Sequence, residues 1–577
     1  MQIKEIFLKS LLQIKNKNFF YNSIEFNFFI KKNQNIILKI LDDKNSLQNM
    51  IEAINQLLLK DKNYHLSLIL LEILSLKLPG DFDIKFTLAK TCYLNKMYEI
   101  SLIYLNQIPK EKLTIEHLRL FINNYFENQN YEKCINMIIK LREQEGKNFE
   151  NTIILINCLR KIRKIKLAKQ EYEYLLTLPE KEYEKFYTGC LINLSENKYD
   201  LTINYLEKNY EKYSEKYLSF HEIYGIVLSK YKRFDDAIHE LKKAFTLGHK
   251  EHHNTLYRCY FSKFDFNNGY NSLEKSTTNY SFENYFLKRK FIKWNFEDIN
   301  NQILIIYPGV GMAIGDQIFY FRYVKDLVNK FTQLKIYFCL SNNRTEYLFK
   351  GQGIEIFNFS NIEAIVIENN KKVFFSSLPQ LAKTYFENKQ CKIIKKYNFF
   401  PLNEMKLKFW KNTISSYKKS VNIGVNWKGN IKYSLDLYRS VNIEILKNIF
   451  NITEVNFFVL NNELSQDEIK FISNFKNVII PDQKYFVEEK INSFSETIEL
   501  MRSLDSIITT DTSIAHISAC LDLKTYLMLE YSPYWYWTHE NDKNYYQNKN
   551  LKIIKQTHPG DWFSVIEKLA LEIQKKL

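Results

Sequence analysis

At 577 residues the chain is long enough for about three or four domains, each with its own core. Its 45% hydrophobic and 25% charged content is that of a soluble globular protein, which excludes disordered and fibrous classes. Lys and Arg exceed Asp and Glu by 81 to 65, a balance that fits nucleic acid, an anionic membrane or a phosphorylated ligand, and equally a composition drift toward Lys, Asn, Ile, Tyr and Phe. The lysines are scattered, and neither zinc-finger spacing nor an aromatic RNA-binding signature accompanies them, so no nucleic-acid partner is expected.

The eight cysteines are never close enough for a Cys-x-x-Cys pair and read as small buried residues in a reducing compartment. Met1 to Lys9 carries charges inside its apolar run, unlike a signal peptide, and no run of 18 apolar residues exists for a transmembrane segment. Cytoplasmic residence is the default expectation.

Residues 1–44 show no dependable period and are left as an irregular N-terminal cap. From 45 to 276 the sequence repeats. A small residue recurs at Ser67, Ser101, Cys134, Ala168, Thr202, Ala237 and Gly269, spaced 34, 33, 34, 34, 35 and 32 apart. Three positions earlier stands a large one: Tyr64, Tyr98, Tyr131, Ile165, Tyr199, Phe234 and Phe266. A period near 34, with a small residue where two helices cross, predicts an all-α solenoid of helical hairpins. With Pro79 and Pro179 at helix-ending positions, the array resembles the tetratricopeptide repeat (TPR), although the family's tryptophan-bearing pattern is absent. Its curved face suits a peptide or partner protein. The loop holding His252 and His253 reads as solvated rather than metal-binding.

The helical period stops over 277–300, a predicted linker. Beyond it strands alternate with helices. A lobe over 301–415 opens with a buried strand from Gln302 to Tyr307. It runs into a turn holding Gly309, Gly311 and Gly315, and a helix starts beside Asp316, whose carboxylate either caps that helix or points into a cleft. Further strands are expected at Lys335, Ile354 and Ala364, and a turn at Ser377 to Pro379. A second lobe over 416–577 repeats the pattern from Val421 into Trp427, Lys428, Gly429 and Asn430, with Lys428 and Arg439 as candidate pyrophosphate ligands.

The most informative stretch follows a short amphipathic helix ending near Leu504. Ser506 to Thr510 is rich in β-branched residues and predicts a buried strand. Asp511, Thr512 and Ser513 fall at its carboxyl end, where open α/β sheets bind ligands, and the next helix begins with amides suited to a diphosphate. Ser, Thr and Asp are also ordinary caps. The aromatic run Tyr534, Trp535, Tyr536, Trp537 reads either as a stacking platform for a base or sugar or as exposed lid packing. A closing helix is expected from Val565.

From Trp294 onward the chain resembles the glycosyltransferase module of TPR-containing glycosyltransferases, relatives of the ADP-heptose:lipopolysaccharide heptosyltransferases (glycosyltransferase family 9). The matching landmarks, in the family's order, are Gly315-Asp316 with Phe321, Arg322 and Tyr323; Ser377 to Pro379; Trp427, Gly429 and Asn430; Arg439-Ser440; Asp511-Thr512 with Ala515 and His516; and Gly560 to Trp562. The resemblance implies a multidomain chain whose C-terminal α/β module has the GT-B architecture, two Rossmann-like lobes with the acceptor in the first and the nucleotide-sugar in the second. It implies inverting transfer without a metal or other cofactor. Asp316 would be the catalytic base, and Gly315 and Arg322 would lie on the acceptor side. Trp427, Lys428, Gly429, Asn430, Arg439, Asp511, Thr512, Ser513 and His516 would lie around the donor. The acceptor would be a protein or glycan, presented by the TPR surface. The chain departs from the family pattern at Ala313, Ile431, Tyr536 and Asp522, where the family carries glycine, proline, arginine and glycine. The competing expectation is a TPR scaffold for protein assembly whose transferase module is inactive.

Overall fold

The computed structural model describes residues 64–179, 181–248, 254–278, 280–340, 345–358, 371–389, 400–417, 421–430, 436–461, 463–482, 485, 493–537, 546, 548–575 and 577. The cap expected over 1–44, the strand expected at Ala364 and the loop of His252 and His253 lie outside the described residues. The chain divides into two compact units, Met1–Ile192 and Asn193–Leu577.

The first unit is helical hairpins. Phe82–Leu94 packs on Tyr98–Leu105, Ile115–Glu127 on Tyr131–Glu145, and Phe149–Lys161 on Ile165–Thr177. The small residues sit where the helices cross: Ser101, Cys134 and Ala168 are fully buried, and the Ser101 hydroxyl donates to the Ala89 carbonyl at 2.7 Å. Each hairpin turns through a left-handed residue two positions before the large one, Lys96 (φ 61°), Gln129 (φ 57°) and Arg163 (φ 62°). The amide that follows closes back on the helix, as when Asn130 donates to the Tyr125 carbonyl at 2.8 Å. Arg142 forks onto Glu171 at 3.1 and 2.9 Å and also holds Asn151 and Thr152, tying three helices together.

The second unit opens with the same motif. Its turns are at Asn197 (φ 59°), Lys232 (φ 60°) and Phe264 (φ 59°), and Thr202, Ala237 and Gly269 are buried at the crossings. A Cβ on Gly269 would stand 2.7 Å from the Phe261 ring, so only glycine fits. The segment 277–300, predicted as a linker, instead carries helix Tyr280–Lys288 and an edge strand β1, Ile292–Lys293. That helix is too short to extend the 34-residue period. It belongs to the α/β body, because its fully buried Phe286 packs on the Phe375 ring at 5.0 Å.

Two parallel sheets follow. In the first lobe β2 (Ile303–Tyr307), β3 (Lys335–Leu340), β4 (Glu355–Asn358) and β5 (Val373–Ser377) lie in the order β1-β5-β2-β3-β4. In the second, β6 (Val421–Asn426), β7 (Val455–Val459), β8 (Val478–Ile479), β9 (Ser506–Thr510), β10 (Thr525–Leu529) and β11 (Leu551–Lys555) lie in the order β11-β10-β9-β6-β7-β8. All registered pairs are parallel. The second order is the doubly wound one, with its reversal between β6 and β9, and the first lobe reverses between β2 and β5. Central strands buried along their whole length explain the unbroken apolar runs in the sequence. The fold is therefore a helical-repeat region followed by an α/β module of two Rossmann-like lobes, the GT-B arrangement.

Two local expectations change. Ser377 to Pro379 is not a turn: β5 passes directly into helix Leu378–Glu387, with the Ser377 hydroxyl accepting from the Gln380 amide and proline in the first turn. The closing helix starts at Trp562, three residues before Val565, because Asp561 caps it through the Ser564 amide at 3.0 Å.

Candidate functional site

Each lobe sends a helix from the carboxyl end of a strand beside its reversal point, and the two helices meet. Helix Ile314–Lys330 follows β2 and the glycine turn, and helix Ser513–Cys520 follows β9. Gly315 permits the contact, since a Cβ there would lie 2.5 Å from His516 Cδ2. Gly309 serves a second approach: its amide neighbourhood lies on Thr277 of the last repeat helix, whose carbonyl accepts from the Val310 amide at 2.7 Å.

Asp316, in the first turn of its helix, is half-buried and accepts a 3.2 Å hydrogen bond from the Tyr536 hydroxyl. Burial and the facing Asp511 carboxylate push the Asp316 carboxyl up to about 6, against the opposing pull of Arg258, the Tyr536 hydrogen bond and Arg439. Asp511 is 7% exposed and accepts the Trp537 indole N–H at 2.8 Å. Its backbone carbonyl accepts from Arg439 at 2.6 Å, and Arg439 also donates to Asp436 at 3.2 Å.

His516 is almost fully buried, with Nδ1 2.5 Å from the Tyr546 hydroxyl and Nε2 3.9 Å from Asp511 Oδ1. Burial, then the charges of Arg322 and Arg439, hold its pKa well below the ordinary histidine value, so the ring is neutral. Arg322 is 4% exposed, donates to the Phe319 carbonyl at 2.7 Å and lies over the Phe319 ring at 3.8 Å. Asn426, at the end of β6, donates to Thr509 at 3.1 Å and Thr512 at 3.0 Å, stitching the reversal point and tethering the Thr512 hydroxyl.

The structure thus gathers Gly315, Asp316, Arg322, Arg439, Asp511, Thr512, Ser513 and His516 around one junction. Trp427 and Lys428 stand apart, whereas Gly429 abuts Arg439. Trp427 is 1% exposed in the core of the second lobe, and its indole donates to Glu468 at 3.1 Å. Lys428 is ion-paired with Glu468 at 2.5 Å. Burial raises the Glu468 carboxyl, but Lys428 outweighs it and leaves the group below the usual carboxylate range. Gly429 fits under Asp436 and Arg439, where a Cβ would collide with both, and its amide donates to the Ser440 hydroxyl at 3.2 Å. Asn430 is exposed.

The aromatic run is not an exposed lid. Tyr534, Trp535, Tyr536 and Trp537 are all at least 93% buried, and Trp537 lies beside both His516 and Tyr546. Sequence reasoning missed Tyr546 and Arg258 as site residues and offered Tyr536 and Trp537 only as part of a stacking platform or lid. The departure at Tyr536 was the signal, since its hydroxyl is the group on Asp316. Among the described residues no three His, Cys, Asp or Glu side chains are grouped to hold a metal ion, and no helix is long and apolar enough to cross a membrane.

No protein-family model matches the chain, and no curated protein matches it. Solved structures do. A tetratricopeptide repeat protein from Parabacteroides merdae aligns at 14% identity over 42% of this chain and 98% of its own, with a TM-score of 0.36. A family 9 glycosyl transferase from Veillonella parvula aligns at 8% identity over 49% and 99%, TM-score 0.38. A mutant O-GlcNAc transferase from Thermobaculum terrenum aligns at 9% identity over 74% and 91%, TM-score 0.24.

Proposed function

We propose that the chain is a glycosyltransferase that moves a sugar from a nucleotide-diphosphate donor to a protein or glycan acceptor, with inversion and without a metal. The observation that carries this reading is the facing pair Asp316 and Asp511, set at the carboxyl ends of β2 and β9 in opposite lobes.

The chemistry follows from the two environments. Asp316, with its carboxyl at about 6, is ionised at neutral pH yet basic enough to take the proton of an acceptor hydroxyl. The acceptor oxygen then attacks the anomeric carbon as the bond to the diphosphate breaks on the opposite face, and the nucleoside diphosphate leaves. Its developing charge falls to the first amides of helix Ser513–Cys520 and to the Arg439 guanidinium beside that turn. Neutral His516 can add an N–H donor but no charge. Asp511, anionic and already gripped by Trp537, suits a sugar or ribose hydroxyl rather than phosphate. Gly429 and the Asp436–Arg439 turn, packed together, form the floor under the donor.

A thermal-shift screen with ADP-, GDP-, UDP- and dTDP-sugars identifies the donor, because a ligand of the folded form raises its melting point. Asp316→Asn then abolishes transfer while donor binding survives. Unchanged transfer in that variant removes Asp316 from the mechanism. The engagement of Lys428 by Glu468 favours a second reading, a scaffold without transferase activity. A panel in which no nucleotide-sugar binds or is hydrolysed selects it.

A further inference from the structure

Between the repeat helices and the second lobe lies a small cleft of mixed lining, with Ile226, Lys230, Phe234 and Arg258 on the repeat side and Ser532 and Pro533 opposite. Lys230 is committed to a buried ion pair with Glu530. Arg258, from helix Asn254–Ser262, places its guanidinium 4.7 Å from the centre of the Tyr534 ring. Tyr534 stands 4.2 Å, ring to ring, from Tyr536, and the Tyr536 hydroxyl donates to Asp316. A line of direct contacts therefore runs from a repeat helix to the carboxylate across the second lobe's aromatic loop.

We propose that Arg258 is a positioning residue of the transfer site, acting on Asp316 through Tyr534 and Tyr536, so that the repeat array completes the site rather than only presenting an acceptor to it. The proposal rests on the transferase reading for its meaning, but its physical content is a guanidinium reaching a carboxyl across two tyrosine rings in contact. The groups facing Asp316 come from every side. Asp511 lies at the end of β9, Arg439 in the Asp436–Arg439 turn, Tyr534, Tyr536 and Tyr546 in the following loops, and Tyr320 on its own helix. His516 is held neutral beside Gly315. Burial and Asp511 favour the protonated acid, and Arg258 heads the influences that favour the carboxylate. Without it the base would be protonated over more of the neutral range.

The test needs no donor or acceptor. Infrared pH titrations of the full chain, each subtracted from the same background carrying Asp316→Asn, isolate the Asp316 carboxyl band. The wild type is expected to titrate near pH 6, Arg258→Met about one unit higher, and Arg258→Lys close to wild type. Near-ultraviolet circular dichroism checks that the aromatic loop keeps its packing, and Arg258→Gln, with a planar polar head, replaces the methionine variant should that one fail to fold. An Asp316 midpoint that does not move in the neutral variants overturns the proposal. Because the readout is a protonation state, loss of the transferase reading leaves this result interpretable, and the reverse.

Discussion

At the scale of single residues, Asp316 carries a stability cost at neutral pH. Its carboxyl rises from an ordinary 3.8 to about 6 in the fold, so the folded state holds the proton more tightly than the unfolded chain. The sign follows: its contribution to stability is full below about pH 4 and is lost as pH rises through 6. Asp316→Asn should therefore melt higher than wild type at pH 8, by on the order of 2–3 kcal/mol, and the gain should vanish near pH 3.5. Thermal unfolding at the two pH values checks both halves. In a transfer assay, wild-type kcat/KM should fall away below about pH 6 as the base is protonated. The sequence pointed to Asp511, Thr512 and Ser513 because acids and hydroxyls after a β-branched run mark a strand end, and to Asp316 and His516 through the family resemblance. The resemblance set Trp427 around the donor, whereas the fold buries it in the core of the second lobe with its indole donating to Glu468, 41 positions away, a pairing that no local pattern announces.

At the scale of elements, two glycine-related positions decide geometry. Gly315 lets the helices of the two lobes touch, so Gly315→Ala must push His516 or separate the helices; it should cost about 1–3 kcal/mol and depress turnover at least tenfold, measured by melting and donor hydrolysis. Asp522 is the reverse case. It follows helix Ser513–Cys520 at φ 57°, a left-handed position where the resembling family has glycine. Asp522→Gly should raise the melting point by relieving about 1 kcal/mol of strain, without altering donor binding. The repeat period was legible because one small residue per 34 must fit each helix crossing. The left-handed turns at Gln129, Arg163 and Lys232 were not, because they use ordinary side chains where glycine would have announced them. Helix Tyr280–Lys288 escaped for want of length, and its role is visible only once Phe286 is seen against Phe375.

At the scale of the whole molecule, the repeat region divides unevenly. Residues 193–577 form one unit, so the last repeats cohere with the lobes. Lys230 and Glu530, each 8% exposed, pair across that seam, and Lys230 also lies over the Tyr438 ring at 4.6 Å. Lys230→Met alone should destabilise by about 3–5 kcal/mol by stranding Glu530, while Lys230→Met with Glu530→Leu should recover most of the loss, read by denaturant unfolding. A change of period in the sequence reports local chain geometry and not which surfaces adhere.

The stacking of Phe261 on Trp535, 4.9 Å between ring centres, shows what that adhesion means in practice. A shortened version beginning at the first α/β strand would shed Phe261 and leave a tryptophan face bare next to Tyr536, the tyrosine that donates to Asp316, inviting clumping and a misshapen pocket. A shortened version that keeps this junction whole has to begin upstream of Tyr199, keeping the hairpins that look, on paper, like somebody else's domain.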